Sequence, residues 1–356
     1  MEFQEYIEGL SRELETMEKI DDGAVFQAFA PYFSDKNILK KAIEPGLFYY
    51  DFCVFERFLK GTAFEEYLFV LVDMVKKAEK FDKVGLTYLF KKSADDISSA
   101  LQNVNAINWL ENGDIKLRND IFLKSSFRFI GEIIEGTLKP YIKFFYGLSL
   151  ICDKISPEKF KQKSLGYTVE QLKKYDEAFI FLYQKILFDI NIGQWRNISY
   201  HHTYKSDKDT SIEVFYGAKK QHNKLLSNDE LRQLLMTLNI VGYFHKIAFT
   251  IIHYDNQDYY PSNNNQVSQD TIIAQIIETS FKYGISVSSI EVQNNKLLLK
   301  MKSRDDRSLS DNNIAKLFNI IKVISNQNIY AEIEFNSKTL RTISVDNEKV
   351  SVFRWK

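Results

Sequence analysis

Only five prolines and fourteen glycines interrupt the 356 residues, too few turns for a loop-rich barrel and well suited to long helices. The two cysteines, Cys53 and Cys152, lie in apolar stretches and form no C-x-x-C pair. That excludes a disulfide framework or zinc site and leaves reduced core thiols in a reducing compartment. An excess of one charge is also missing, since 47 basic side chains meet 47 acidic ones. A neutral chain offers no general coat for duplex DNA, although a local basic site is compatible with that balance. The five histidines are too scattered for a metal centre, and the adjacent His201 and His202 point to different sides. The chain has no G-x-x-x-x-G-K-[ST] loop, G-x-G-x-x-G turn, G-x-S-x-G elbow or H-E-x-x-H helix. No cofactor or metal is expected. The longest apolar stretch, read around Tyr141–Cys152, is interrupted by Lys143 and falls short of the roughly 20 residues of a bilayer span. The opening Met1-Glu2-Phe3-Gln4-Glu5 is acidic and polar, unlike a secretory signal. The expectation is a soluble, cytoplasmic protein without membrane contact.

What the chain has in quantity is apolar residues at helical spacing. Hydrophobic residues are 45% of the total, with 28 Phe and 20 Tyr, enough for a sizeable core and against wholesale disorder. At about 100–200 residues per domain the length suggests two or three domains. Residues 1–115 read as an N-terminal helical region, with stripes at Phe26, Phe29 and Phe33 and at Phe64, Leu68, Val72 and Met74. Pro31 should end or kink the first stripe, and breaks are expected at Pro45-Gly46 and Asn112-Gly113-Asp114. Residues 116–256 read as a helical bundle. Its first stripe runs Phe127, Ile130, Ile134, Leu138, Tyr141, Phe145, Leu148 and Cys152, with Pro140 bending the helix without ending it. A second runs Val169, Leu172, Phe179, Leu182, Ile186 and Ile190, with Thr168 available as its cap. Alternation at Ile212, Val214 and Tyr216 suggests a short strand or extended arm. Ser227-Asn228-Asp229-Glu230 forms a capping box opening a third stripe from Leu231 to Ile252, on which His245 reads as a satisfied core histidine. The Asn-rich residues 257–268 read as a linker. Residues 269–356 switch to a mixed pattern: a helix near 271–282, a hairpin turning at Asn294-Asn295, a helix near Ile314–Ile324 and three further strands. The fold class is therefore mainly α, ending in a small α+β domain.

One constellation carries chemistry: Arg196-Asn197-x-x-x-His201, inside Gln194-Trp195-Arg196-Asn197-Ile198-Ser199-Tyr200-His201-His202. RNA holds its own nucleophile, the 2′-hydroxyl, so cleavage needs a base, an acid and a stabiliser of the crowded phosphate. The His201 imidazole suits either proton role near neutrality. Arg196 stays charged and can hold two phosphate oxygens. Asn197, four residues before His201, could orient the imidazole. Arg196 and His201 are about 140° apart around an ideal helix, so the site needs an irregular helix start or a second copy of the motif. Tyr200, Tyr204 and Lys205 flank the motif and could stack on a base or grip the backbone, or simply form an exposed polar helix end. A purely structural alternative pairs Arg196 with a carboxylate such as Asp189 and makes His201 a helix cap.

The motif resembles the R-polar-x(3–5)-H signature of the HEPN superfamily (higher eukaryotes and prokaryotes nucleotide-binding), and the helical setting of residues about 117–255 agrees with it. The resemblance implies a HEPN helical bundle acting as a metal-independent endoribonuclease, with a homodimer bringing two motifs to one composite cleft. Products would be a 2′,3′-cyclic phosphate and a 5′-hydroxyl. It further implies an acidic residue on the first bundle helix facing the site, for which Glu132 and Glu135 are candidates and Glu135 is preferred. A toxin or abortive-infection role in antiviral defence is implied too, with a regulatory partner or antitoxin. Two other readings stay open: a non-catalytic HEPN-type RNA- or nucleotide-binding module, and a helical protein-interaction scaffold.

Overall fold

The computed structural model describes residues 21–44, 46, 48–107, 119–207, 211–217, 219–256, 259, 273, 276, 277, 279, 280, 283, 285–293, 296–303, 311–325, 328–335, 339–346 and 349–354. Along the chain run α1 (Asp22–Phe29), α2 (Lys36–Ile43), α3 (Tyr49–Val54), α4 (Ala63–Phe81), α5 (Lys83–Ile107) and α6 (Asn119–Glu132). They are followed by α7 (Lys139–Cys152), α8 (Leu165–Tyr175), α9 (Glu177–Tyr183) and α10 (Ile192–His201). Three short strands, β1 (Tyr204–Asp207), β2 (Ser211–Tyr216) and β3 (His222–Leu226), lead into α11 (Asn228–Asp255). The C-terminal part holds β4 (Ile285–Gln293), β5 (Lys296–Ser303), α12 (Asp311–Ser325), β6 (Asn328–Phe335), β7 (Thr339–Asp346) and β8 (Lys349–Arg354). The architecture is mainly α with a small α+β C-terminal part.

The chain divides into two compact units, Phe55–Asn263 and a second made of Met1–Val54 with Asn264–Lys356. This differs from the expected N-terminal region 1–115, because α4 and α5 belong with the bundle. Phe64 of α4 lies against Phe181 and Phe244, centroids 5.5 and 5.4 Å apart, and Phe90 of α5 lies 5.3 Å from Phe144 of α7. An apolar stripe states that a helix must be covered but not by which partner. The expected breaks at Pro45 and Asn112–Asp114, the turn at Asn294–Asn295 and nearly all of the linker 257–268 lie outside the described residues. Of the helix expected over 271–282, Ile273, Ile276 and Ile277 are described and buried.

The central stripe of the larger unit is buried from Phe127 through Ile130, Ile134, Leu138, Tyr141, Phe145 and Leu148. Between α6 and α7 the helix widens into a π turn, Ile133–Leu138, immediately before Pro140. Proline has no N–H for the carbonyl four residues earlier. That carbonyl belongs to Gly136, and Asn103 of α5 donates to it from Nδ2 at 2.9 Å. A Cβ on Gly136 would meet the same amide nitrogen at 2.9 Å, so a larger residue there would push the Asn103 amide from its present place. The stripe over 169–190, expected as one helix, is broken. Ser164, not Thr168, caps α8, accepting from the Tyr167 N–H at 3.3 Å, while Thr168 is buried one turn inside the helix. Asp176 then caps α9, accepting from the Ala178 N–H at 2.9 Å. Lys143, charged within an apolar run, donates to the carbonyls of Lys161 and Lys163. Burial, and then the nearby Lys139 charge, lower its ammonium to about 8, against the opposing pull of Glu135. Neither cysteine forms a disulfide.

α11 opens with the capping box: the Ser227 hydroxyl accepts from the Glu230 N–H at 3.1 Å, and the Glu230 carboxylate accepts from the Ser227 N–H at 2.7 Å. Among the described residues this 28-residue helix is the one long and apolar enough to cross a bilayer, yet 67% of its most apolar window is buried in the protein. β1, β2 and β3 form an antiparallel sheet in that order, with Ile212, Val214 and Leu226 buried. In the smaller unit the sheet order is β4-β5-β6-β7-β8, with β5 and β6 parallel across the α12 connection. A bulge at Ser288 shifts β4 by one residue, so that Val287 and Ile290 both face the core against Met301 and Leu299.

His245 is fully buried on α11 between Tyr183, whose hydroxyl is 2.7 Å from Nε2, and the Val241 carbonyl, 2.7 Å from Nδ1. A carbonyl can only accept, so Nδ1 carries the proton and Nε2 accepts from Tyr183. Burial depresses the imidazole from 6.5 to about 4, the Val241 carbonyl opposing. Between those values the unfolded chain binds a proton that the folded core refuses. Stability is therefore complete above pH 6.5 and falls as pH drops towards 4, by about 3 kcal/mol from this residue at about 1.4 kcal/mol per unit. His253, half-buried and also lowered to about 4 by desolvation, acts in the same direction. Denaturant unfolding measured from pH 7 to 4 should show the loss, and His245→Gln should flatten the curve; a pH-independent wild type would contradict the account.

Candidate active site

The motif lies in the C-terminal half of α10, and that helix is tied down on one face. Asn191 caps it, accepting from the Gly193 N–H at 2.7 Å. Trp195, fully buried, donates from Nε1 to the Leu187 carbonyl at 3.0 Å, and Ile192 and Ile198 are buried on the same side. The helix ends at His201 because His202 turns left-handed, with φ 49° and ψ 42°. The N–H groups of His202 and Thr203 both return to the Ile198 carbonyl, a closure for which glycine is the usual residue.

Arg196 projects towards the central helix. Its Nε donates to Glu135 Oε1 at 2.7 Å, while Lys139 donates to Glu135 Oε2 at 2.6 Å. Burial works against the charge on Glu135, but the hydrogen bonds from Lys139 and Arg196 outweigh it and hold the carboxyl below its usual range. Glu135 belongs to the π turn before Pro140, so the proline that widens the helix also sets where this carboxylate stands. The guanidinium lies 4.8 Å from the centre of the Tyr200 ring, one helical turn on. Its NH1 donates to Asn197 Oδ1 at 3.3 Å. These bonds use two of the five arginine N–H donors, and the side chain is 35% exposed. A guanidinium fixed from behind with donors remaining can take a phosphate oxygen pair.

The other expected residues are placed differently. His201 is exposed at the last helical position, and among the described residues no hydrogen bond reaches it. Asn197 is exposed and engages Arg196 rather than His201, so the expectation that its amide orients the imidazole gives way. The structural alternative holds in its main point, since Arg196 does pair with a carboxylate, but that carboxylate is Glu135 and not Asp189, which lies in the left-handed turn at Phe188–Asp189. Tyr204, on β1, lies flat on Phe127, with centroids 3.9 Å and planes 8° apart, and its partly buried hydroxyl is raised by that burial. Lys205 is exposed, its ammonium 5.4 Å from the Phe215 ring. Glu132 pairs with Arg128 at 2.7 Å rather than with Arg196. Since α10 is regular throughout, Arg196 and His201 stay about 140° apart around it, and no irregular helix start brings them together.

Sequence reasoning passed over Lys139 and Gly131. Lys139 was legible as the residue four after Glu135. Gly131 was not, since its role is to let α10 approach: a Cβ there would meet Tyr200 Cε2 at 3.2 Å and Ser199 Cβ at 3.4 Å. Beside that contact a cleft of 730 Å3 opens between α6 and the end of α10, lined by Tyr200, His202 and Tyr204 with Lys124 and Arg128. Among the described residues no group of three His, Cys, Asp or Glu side chains is placed to share a metal ion. No family model, no curated protein and no solved structure matches the chain.

The two faces of α10 should respond differently to substitution. Trp195→Phe removes the indole donor to the Leu187 carbonyl, which keeps the Ile190 N–H, and leaves a gap in a fully buried site; it should cost about 2 kcal/mol of unfolding free energy. Asn197→Ala on the exposed face should stay within about 0.5 kcal/mol. Equal losses in equilibrium unfolding would show that α10 is not anchored through Trp195.

Proposed function

We propose that this chain is a metal-independent endoribonuclease of the HEPN type, acting as a homodimer and serving as a toxin or antiphage defence effector. The observation that carries the reading is Arg196, backed by Glu135 and flanked by Tyr200, on the same short helix as an exposed His201. The toxin or defence role, and a regulatory partner or antitoxin that restrains it, rest on the family resemblance. A cytoplasmic location suits an RNA substrate.

In the step, one imidazole takes the 2′-hydroxyl proton as the oxygen bonds to phosphorus. The P–O5′ bond breaks, and an imidazolium returns a proton to the departing 5′-oxygen. The products are a 2′,3′-cyclic phosphate and a 5′-hydroxyl, with no water consumed. Arg196 carries the charge that builds on the phosphoryl oxygens. The two proton tasks call for opposite protonation states, and a second copy of α10 supplies the second imidazole. It also answers the angular separation of Arg196 from His201, since the guanidinium of one copy can face the imidazole of the other. Glu135 is a positioning residue here: it fixes the guanidinium without touching substrate.

A second reading, a nucleotide- or RNA-binding module without chemistry, is favoured by the same Glu135 contact, which partly neutralises Arg196. Cleavage of RNA in EDTA separates the two. The nuclease reading expects His201→Ala and Arg196→Ala each to lower the rate by at least about 100-fold, with a bell-shaped pH profile in the wild type. Undiminished cleavage by both variants, or binding without cleavage, would remove it.

A further inference from the structure

The cleft beside the motif has features that the transfer of protons does not require. Tyr200 is 48% exposed, and its ring lies close over Gly131, where any side chain would lift it. Tyr204 is held flat on Phe127, so its ring is presented in a single orientation before anything binds. His202 adopts a left-handed conformation better suited to glycine, yet carries an imidazole that lines the cleft. The left-handed turn closes α10, as left-handed residues commonly close helices, and it places the His202 imidazole on the cleft lining. Three aromatic rings thus surround one opening, its volume of 730 Å3 within the range of about 300–1,000 Å3 typical of small-ligand sites.

The charge around the cleft is complementary to a phosphate. Arg128 and Glu132 pair with each other at 2.7 Å and are both exposed, which leaves Lys124 as the lining cation that no carboxylate of the described residues pairs with. Aromatic walls with a cation at the edge match a base and its adjoining phosphate. A base inside a duplex offers its neighbours, not the protein, its flat faces, so only an unpaired base can enter. Tyr200 and His202 stand on either side of His201 in the chain, so a base held there brings its phosphate to the end of α10.

We propose that this cleft is a binding subsite for one unpaired nucleobase of a single-stranded RNA, with Lys124 on its phosphate, and that it confines the protein to unpaired strands. The identity of the polymer rests on the ribonuclease reading; the stacking geometry does not.

The test uses the full chain and a fluorescent, unstructured 2′-O-methyl oligonucleotide, which cannot be cleaved, with its duplex as comparison. Anisotropy should show the single strand binding at least about tenfold more tightly than the duplex. His202→Gly should weaken strand binding by about 5- to 100-fold, the range of one lost base stack. Its melting temperature should equal or exceed that of the wild type, because glycine relieves the left-handed turn; misfolding then cannot account for the loss. Lys124→Glu should weaken binding and reduce the salt dependence by about one phosphate contact. Equal affinity for duplex and strand, or wild-type binding by both variants, overturns the subsite. If cleavage depends on His201 while both cleft variants bind normally, the subsite falls and the nuclease reading stands. If His202→Gly loses strand binding in a protein that cleaves nothing, the nuclease reading falls and the subsite stands.

Discussion

The ion pair between Arg196 and Glu135 is the contact on which the site depends, because it joins the helix bearing the motif to the central helix of the bundle. Its position is inherited from Pro140. A proline there denies the Gly136 carbonyl its usual donor, the helix opens into a π turn, and Glu135 stands within that turn. Lys139, one turn on, shares the carboxylate, so two cations surround one acid and the cluster keeps a net positive charge. A charged hydrogen bond of this kind contributes about 1.5–3 kcal/mol, and less where solvent reaches it, as it does here. Its larger effect is geometric, since a long and otherwise mobile side chain is held in one place.

The two ends of the motif are consequently unlike. Arg196 is fixed by an acid, an aromatic ring and a neighbouring amide, whereas His201 is exposed at the last position of the helix. On a regular helix the two point in different directions. The proposed nuclease reading needs both, and for that reason it calls for a second copy of α10 facing the first. A rigid guanidinium and an accessible imidazole are what such a shared cleft demands of each copy.

Much of the architecture was legible in the residues because burial follows helical spacing closely. The stripe from Phe127 to Leu148, the capping box at Ser227 and the alternation at Ile212 and Val214 each state a local preference that the fold keeps. Partner choice was not legible. Nothing in Phe64 or Phe90 says that α4 and α5 will close on α7 and α11 rather than on their own segment. Competition among caps was missed as well: Ser164 wins over Thr168 because helix α8 begins one turn earlier than its apolar stripe. At the site, Arg196 and His201 could be named from residue type and order, and Glu135 only through the family resemblance. The glycine beneath Tyr200 is a product of tertiary approach, for which the chain carries no local signal, whereas the turn that aims Glu135 follows from Pro140 and Asn197 meets its own chain neighbour Arg196.

The central claim is that one chain holds half of a reaction centre. The cleavage rate per chain, followed across a dilution series in which the monomer fraction is counted by mass photometry, tests it most directly. The account predicts that the rate falls in proportion to the dimer fraction and vanishes in the monomer. Full activity per chain in a population of monomers would contradict it.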